Sequence, residues 1–416
     1  MPKEVIIIGG GMAGLSAAAE LRGCRVTLVE AKNRFGGRIH TLYKDGNVIE
    51  LGAEFVHGQN KALLSVIHNA GLALADASER NQMLVAGRLQ PIALWDKFGE
   101  LAARIETQKP DKSFLSFIDE TALDEGGRKM MLTFVAGFDA ADPARISAHS
   151  LRRAEYASEQ MNGQKEARLQ TGYASLAEFM ESKARHSGAT LLKNVVVHAV
   201  RWRRGRVQVE ASCDRLTETF LADAAIVTLP LGVLKARAVT FEPALPDKEE
   251  AVAGLEFGNA IKLTLVFRRP WWPDPDFGFI HTLDESLQTW WSDSRGPILT
   301  GWAGGPKADA LLNHSPAELE VLAVEALSRL FSISLQKIRT ELISSHTHNW
   351  AHDPHIRGAY SYIPVGGLFY PKQLGAPVKE TLFFAGEATA RDGQMGTVFA
   401  ALESGQRVAR ELMNAI

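Results

Sequence analysis

Val5-Ile6-Ile7-Ile8 has no polar position, and its β-branched residues predict a strand buried on both faces. The pattern then switches to Gly9-Gly10-Gly11-Met12-Ala13-Gly14, followed by a helix-forming LSAAAEL over 15–21 and a second strand over 25–29 that ends at Glu30. Residues 47–51 predict another strand. From 61 to about 188 apolar positions recur at helical spacing, predicting helices over 61–72, 95–108, 113–123, 128–138 and 175–186. Residues 76–91 are less regular. Met130, Met131 and Phe134 are candidates to line a pocket, with a plain helix core the preferred reading. Strand patterns return at 193–200 and 206–210, as a hairpin around Arg203-Arg204-Gly205, and at 222–229. Over 258–267 the alternation puts Ile261, Leu263, Leu265 and Phe267 on one face, with Ala260, Lys262, Thr264 and Val266 on the other. By periodicity alone Lys262 is solvated. Strands at 277–281, 288–291 and 298–303, a helix at 316–331, a last buried strand beginning at Leu382 and a closing helix at 400–412 complete the series.

The glycine turn carries the first chemistry. Gly9, Gly11 and Gly14 form G-x-G-x-x-G between a strand and a helix, with an acid at the end of the next strand. In that context Gly9 permits the tight turn, Gly11 lets backbone approach a pyrophosphate, and Gly14 lets helix and strand pack closely. The anion would rest on the helix N-terminus, beside Met12 and Ala13, where N–H groups are unpaired. Glu30 would accept from a ribose hydroxyl and disfavour the additional phosphate of NADP. The pattern predicts dinucleotide binding.

Composition narrows the classes. At 416 residues, two intertwined domains are expected. Hydrophobic residues at 46% and charged residues at 23% are ordinary for a globular chain. A net charge of −2 gives no global field for nucleic acid or acidic membranes. Cys24 and Cys213 have no metal or redox spacing, which fits a reducing compartment. His346, His348, His352 and His355 cluster loosely and lack the acids and spacing of a known metal site, so no metal is expected. No apolar run reaches the roughly 18 residues of a membrane span. The first strand leaves no room for a signal peptide, and no hydrophobic tail follows the last helix. The expectation is a soluble, cytoplasmic protein.

The residues that follow Glu30 choose the cofactor. Arg34-Phe35-Gly36-Gly37-Arg38 resembles the Arg-x-Gly-Gly-Arg extension of FAD enzymes of the amine oxidase and desaturase superfamily. Arg38 would fork onto phosphate oxygens. Gly52-Ala53-Glu54-Phe55-Val56-His57-Gly58 resembles a segment that passes close to the flavin in amine oxidases. Amino acid oxidases of the superfamily have an arginine at the place of Phe55, so an amino acid substrate is disfavoured. Residues 193–200 resemble the Asn-x-x-Val-x-x-hydrophobic strand whose valine backbone contacts adenine in this superfamily, which points to Val197. Gly258 to Lys262 resembles the Gly-x-x-x-Lys strand whose lysine holds a water against flavin N5, which reverses the solvated reading of Lys262. Trp350 to Pro354 and Gly358 to Ser361 are similar to the Trp-x-x-Asp-Pro and Gly-x-Tyr-Ser segments of polyamine oxidases and lysine-specific histone demethylases. There Tyr360 would form one wall of an aromatic cage. Ala359 stands where monoamine oxidases attach their flavin through cysteine, so non-covalent FAD is implied. Glu387 matches Phe-Ala-Gly-Glu-x-Thr and would hold sugar or ribityl hydroxyls. Gly396-Thr397-Val398 resembles the family's Gly-x-Val before a helix whose N-terminus meets the flavin pyrimidine ring, which would put Thr397 at the second cage position. Phe399-Ala400 departs from the usual His-Gly there.

This resemblance to the flavin-containing amine oxidases spans the chain. It implies an α/β fold of two domains: a discontinuous Rossmann-like FAD domain over 1–75, 190–240 and 350–416, and a mixed-sheet and helical substrate domain over 76–189 and 241–349. It implies hydride transfer from the α-carbon of a small-molecule amine to flavin N5, imine hydrolysis, and reduction of O2 to H2O2. The protein would supply orientation and electrostatics. Three alternatives stay open: a desaturase or protoporphyrinogen-type oxidase on the same scaffold, a dehydrogenase with another electron acceptor, and a non-catalytic flavin-binding protein. Lys262 and Tyr360 argue against the first and the third.

Overall fold

The computed structural model describes residues 2–213, 216–391 and 393–415. A parallel five-stranded sheet runs in the order Thr190–Leu192, Arg25–Val29, Glu4–Ile8, Ala224–Val227, Leu382–Phe384. Its strands are apolar on both faces because both are covered. Val5, Ile7, Leu28, Ile226 and Phe383 pack against the helices Met12–Glu20, Ala174–His186 and Val398–Ala415. Ile6, Ile8, Val29, Ala225 and Phe384 pack instead against the sheet of Val195–Arg203, Arg206–Cys213 and Leu216–Ala222. The α/β class expected from the sequence holds.

A second sheet of seven strands is ordered Leu342–Thr347, Ala260–Phe267, Ile298–Gly304, Thr289–Asp293, Phe279–His281, Asn81–Val85, Arg88–Pro91. Ile261, Leu263, Leu265 and Phe267 face a core shared with the helix Pro316–Phe331. That helix matches its predicted span because its signals are local: Ser315 and Glu318 form a reciprocal capping box and proline follows the cap. The strand Ala260–Phe267 is buried at all eight positions. Lys262 is 4% exposed, so the solvated reading from periodicity fails. The face that looked polar is covered by residues distant in sequence.

Helices Leu94–Ala102, Phe114–Asp119, Glu125–Phe138 and Ala148–Glu159 share one apolar core. The last was not predicted; it is rich in polar residues and starts from Ser147, whose side chain accepts from Ser150 N–H. Residues 76–91, irregular as sequence, form the hairpin at the edge of the seven-stranded sheet. Its turn has Ala86 and Gly87 at φ 49° and 75°, and its pairing with Phe279–His281 is too remote for local pattern to report. No helix among the described residues is long and apolar enough to cross a membrane.

Candidate active site

A continuous cavity of about 740 Å³ begins at the glycine turn and ends among the cap helices. At its first end Gly9 has φ +108° and a Cβ on Gly14 would lie 2.0 Å from Gly9 O, so neither position accepts a side chain without movement. Helix Met12–Glu20 has no side-chain cap and no acid in its first turn, and Gly11, Met12 and Ala13 line the cavity there. That leaves a helix N-terminus with N–H groups free for an anion. Glu30 lines the same wall; one oxygen accepts from Gly10 N–H at 2.7 Å and the other from Lys32 N–H at 2.9 Å. Each oxygen keeps acceptor capacity for a hydroxyl. Val197 borders this end at the irregularity of its strand. A glycine cradle, an uncapped helix and a carboxylate fit the diphosphate and ribose of a dinucleotide.

Further along, Arg38 donates through Nη1 to Ala359 O at 2.7 Å and pairs with Glu387 Oε1 at 2.9 Å. Its other guanidinium nitrogens have no protein acceptor among the described residues. The second Glu387 oxygen accepts from Ser361 and from Gly396 N–H at 3.0 Å. Trp350 is fixed by donation to Leu51 O at 2.9 Å, and Lys32, which pairs with Asp353, lies over its ring. Burial would push the Asp353 carboxyl up, but His348 and Lys32 bonded to it hold it far below the ordinary range.

At the centre Lys262 Nζ lies 2.6 Å from Glu54 Oε2 and 3.1 Å from Gly52 O. Glu54 Oε1 accepts from Arg168 at 2.7 Å and from Trp291 Nε1 at 3.0 Å. Burial opposes ionisation of Glu54, yet the two cations hold its carboxyl well below the usual range. Gly52, Ala53, Glu54 and Phe55 all border the cavity, and Phe55 carries Arg168 over its ring at 4.5 Å. Tyr360 donates to Phe138 O at 2.6 Å, and its ring packs on Gly396, where a Cβ would lie 3.0 Å away. Thr397 and Val398 line the cavity, but the Thr397 hydroxyl is engaged as a helix cap, accepting from Ala400 N–H at 3.1 Å.

The structure thus brings the sequence-predicted site residues to one cavity, except Gly14, which packs beneath the turn against Gly9 and Thr228. It adds others. Phe134 and Phe138 stack at 5.7 Å, with Trp95 edge-on to both at 4.9 and 4.8 Å. Met130 and Phe134 line the cavity rather than serving only as helix core; Met131 stays in the core. Phe279, Trp291 and Trp302 close the opposite wall. His57 Nδ1 lies 3.2 Å from Glu166, and Asp139 and Glu155 join them in the lining. These acids stand in no motif; only a helical apolar stripe hinted at the aromatic wall. Of the clustered histidines, His348 bonds Asp353 at 2.9 Å, and His346, which lies on the strand Leu342–Thr347 rather than in a loop, bonds Ser344.

Comparison with known proteins agrees with this geometry. The family model for flavin-containing amine oxidoreductases matches residues 12–413. Polyamine oxidase 3 of Oryza sativa subsp. japonica is 31% identical over 98% of this chain and 88% of its own length. Polyamine oxidase 4 of the same plant is 29% identical over 100% and 89%. A putrescine oxidase solved with putrescine superposes with TM-score 0.84 at 23% identity, covering 100% of this chain and 99% of that one. Cyclohexylamine oxidase from Brevibacterium oxydans IH-35A superposes with TM-score 0.83 at 21% identity, covering 99% and 100%. The chain therefore belongs to the flavin-containing amine oxidoreductase family and is an FAD-dependent amine-oxidising enzyme.

Proposed function

We propose that this enzyme oxidises amines without an α-carboxylate, using O2 as the terminal acceptor and non-covalent FAD as the cofactor. The observation that carries the reading is the single cavity joining a dinucleotide cradle to an aromatic chamber past the buried Lys262–Glu54 pair. The amine gives up two electrons and two protons to become an imine, water hydrolyses the imine to a carbonyl compound and an amine or ammonia, and O2 leaves as H2O2. When bound, FAD supplies the two-electron acceptor.

The chain's residues do the rest. The backbone of Gly9, Gly11, Met12, Ala13 and Gly14 holds the pyrophosphate, and Glu30 the ribose. Val197 borders the adenine, while Arg38, Trp350 and Glu387 fix the middle of the cofactor. Gly52 to Phe55 and Gly396 to Val398 flank the ring. The helix starting at Val398 favours negative charge at its N-terminus. Lys262, held by Glu54, orders a water at the reacting centre. Tyr360 and Thr397 wall the substrate position. An alkylammonium has a pKa of about 10.4, and aromatic walls disfavour its charge, helping to deliver the neutral, oxidisable amine. Ala359 offers no nucleophile for a covalent bond to the cofactor.

Among the described residues, the cations that line the cavity already have protein partners. The Lys and Arg residues lining the cavity are Lys32, Arg38, Lys262 and Arg357; the first three are ion-paired, and Arg357 donates to Pro354 O. The polyamine and putrescine oxidases among the relatives favour a substrate with more than one nitrogen. Three readouts on purified holoenzyme test the proposal: acid release of the flavin, anaerobic bleaching by a panel of amines and amino acids, and peroxide formed on admitting O2. Flavin in the acid pellet would overturn the non-covalent assignment. Faster bleaching by amino acids would overturn the substrate class. Bleaching that only an artificial acceptor reverses would make the enzyme a dehydrogenase.

A further inference from the structure

We infer that Arg168, which does not itself line the cavity, is a positioning residue for the reaction: it takes one oxygen of Glu54 and so leaves Lys262 a surplus cation at the reacting centre. The inference rests on the reading of Lys262 as the group at that centre and adds the residue that sets its charge.

Three charged side chains meet here out of water. Glu54, Arg168 and Lys262 are 7, 4 and 4% exposed. Glu54 divides its carboxylate between the two cations. Oε1 accepts from Arg168 Nε at 2.7 Å and from Trp291 Nε1 at 3.0 Å, and Oε2 faces Lys262 Nζ at 2.6 Å. A lysine ammonium has three N–H groups. One goes to Glu54 and one to Gly52 O at 3.1 Å, which leaves one for the cavity that Lys262 lines.

One cation is enough to satisfy one buried carboxylate. A second gives up its hydration without a counter-charge of its own. The chain nevertheless fixes Arg168 firmly. Its strand, Glu166–Leu169, pairs it with Phe55, the residue after Glu54. Its guanidinium lies 4.5 Å over the Phe55 ring and donates through Nη2 to Ser292 O at 3.2 Å. A planar fork held at two points sets orientation as well as charge. The next charges have partners of their own: Arg295 lies 2.6 Å from Asp293 and 3.9 Å from Glu50, which accepts from Thr41 and from Tyr173 N–H.

Without Arg168, Glu54 has Lys262 as its only bonded cation. The carboxylate then cancels the ammonium one to one, and both its oxygens are free to close on Nζ and draw it from the cavity. With Arg168 in place, Lys262 keeps positive charge to present toward the cofactor, where reduction adds negative charge. Burial opposes ionisation of Glu54, and Lys262 together with Arg168 overcomes it. With both cations gone, burial prevails and the carboxyl takes a proton.

The test is a double-mutant cycle on the holoenzyme, read on the midpoint potential of the bound flavin, which needs no turnover. Wild type holds two cations on one carboxylate; Arg168→Met and Lys262→Met each hold one of each; the double variant holds a neutral carboxyl. Either single substitution should lower the potential, and the double variant should fall no further than the singles. In stopped-flow, Arg168→Met should slow flavin reduction or its reoxidation by roughly 10-fold, the size of a typical coupling within one buried network, and should slow Lys262→Met no further. Arg168→Lys keeps the charge and should hold the potential near wild type. Arg168→Gln closes the same cycle if Arg168→Met does not fold. A potential unmoved by loss of Arg168, or lowered equally with and without Lys262, would overturn the inference, as would a fall in Arg168→Lys as large as in the neutral variant. Lys262→Met with wild-type potential and rates would instead refute the placement of Lys262 itself.

Discussion

The two ends of the cavity handle charge in opposite ways. At the cofactor end every charged side chain in the lining is bonded: Glu30 to backbone, Lys32 to Asp353, Arg38 to Glu387. At the cap end Asp139 and Glu155 line the cavity and, among the described residues, make no hydrogen bond or ion pair through their carboxylates. A paired network holds its geometry before a ligand arrives, which suits a resident cofactor that must be placed the same way in each cycle. A buried carboxylate without a partner, as at Glu155, is relieved by a proton or an incoming cation rather than by the fold. Lys262–Glu54 lies at the boundary and belongs to the first kind.

Breaking that boundary pair gives the largest expected effect. Glu54→Gln leaves Lys262 and Arg168 buried without their counter-charge, and loss of one partner of a buried pair costs about 3–5 kcal/mol. A large fall in melting temperature, with more flavin lost on gel filtration, is expected; unchanged melting would show that water already solvates the pair. Lys262→Met is gentler on the fold, because Glu54 keeps Arg168 and Trp291. FAD should stay bound while flavin reduction or its reoxidation slows by roughly 10²-fold, as on loss of a positioned electrostatic group. Stopped-flow rates equal to wild type in both half-reactions would remove Lys262 from the chemistry.

The same contrast explains what the sequence revealed. The stretch from Val5 to Arg38 was legible because its strand, turn, helix and acid are contiguous, and a glycine turn has local steric demands. Lys262 was misread by periodicity because Glu54 and Trp291, far away in the chain, cover its face; only the resemblance located it. The cap acids were not legible at all. Asp139 ends one helix, Glu155 sits on another that was itself unpredicted, and only tertiary packing turns both toward one chamber. The hairpin Asn81–Pro91 was lost for a related reason: its pairing partner lies some 200 residues further on. Paired, preorganised sites leave motifs, whereas a chamber built from helix faces leaves only scattered polar residues.

A smaller effect is expected at Thr397, where two roles compete. As the cap of the last helix it accepts from Ala400 N–H, and Thr397→Ala should cost about 1 kcal/mol. Thr397→Ser keeps the cap and removes only the methyl group from the wall. Stability restored by serine, with amine affinity still altered, separates wall from cap. Serine that matches wild type in both would leave Thr397 a cap alone.

The smallest effect is a slope. Asp139 follows the C-terminus of the helix Glu125–Phe138, where the dipole disfavours negative charge, and burial and Glu155 raise its carboxyl to about 7 from an ordinary value near 4. A raised carboxyl binds its proton more tightly in the folded chain than in the unfolded one. Its contribution to stability is therefore complete below about pH 4 and is lost as pH rises through about 7. Wild-type melting temperature should fall from pH 5 to pH 8, in the absence of any amine, more steeply than that of Asp139→Asn, with the two curves converging toward pH 5. Parallel slopes for the two proteins would mean that Asp139 is already solvated and ionised in the folded chain, and the cap end would then differ from the cofactor end in shape alone.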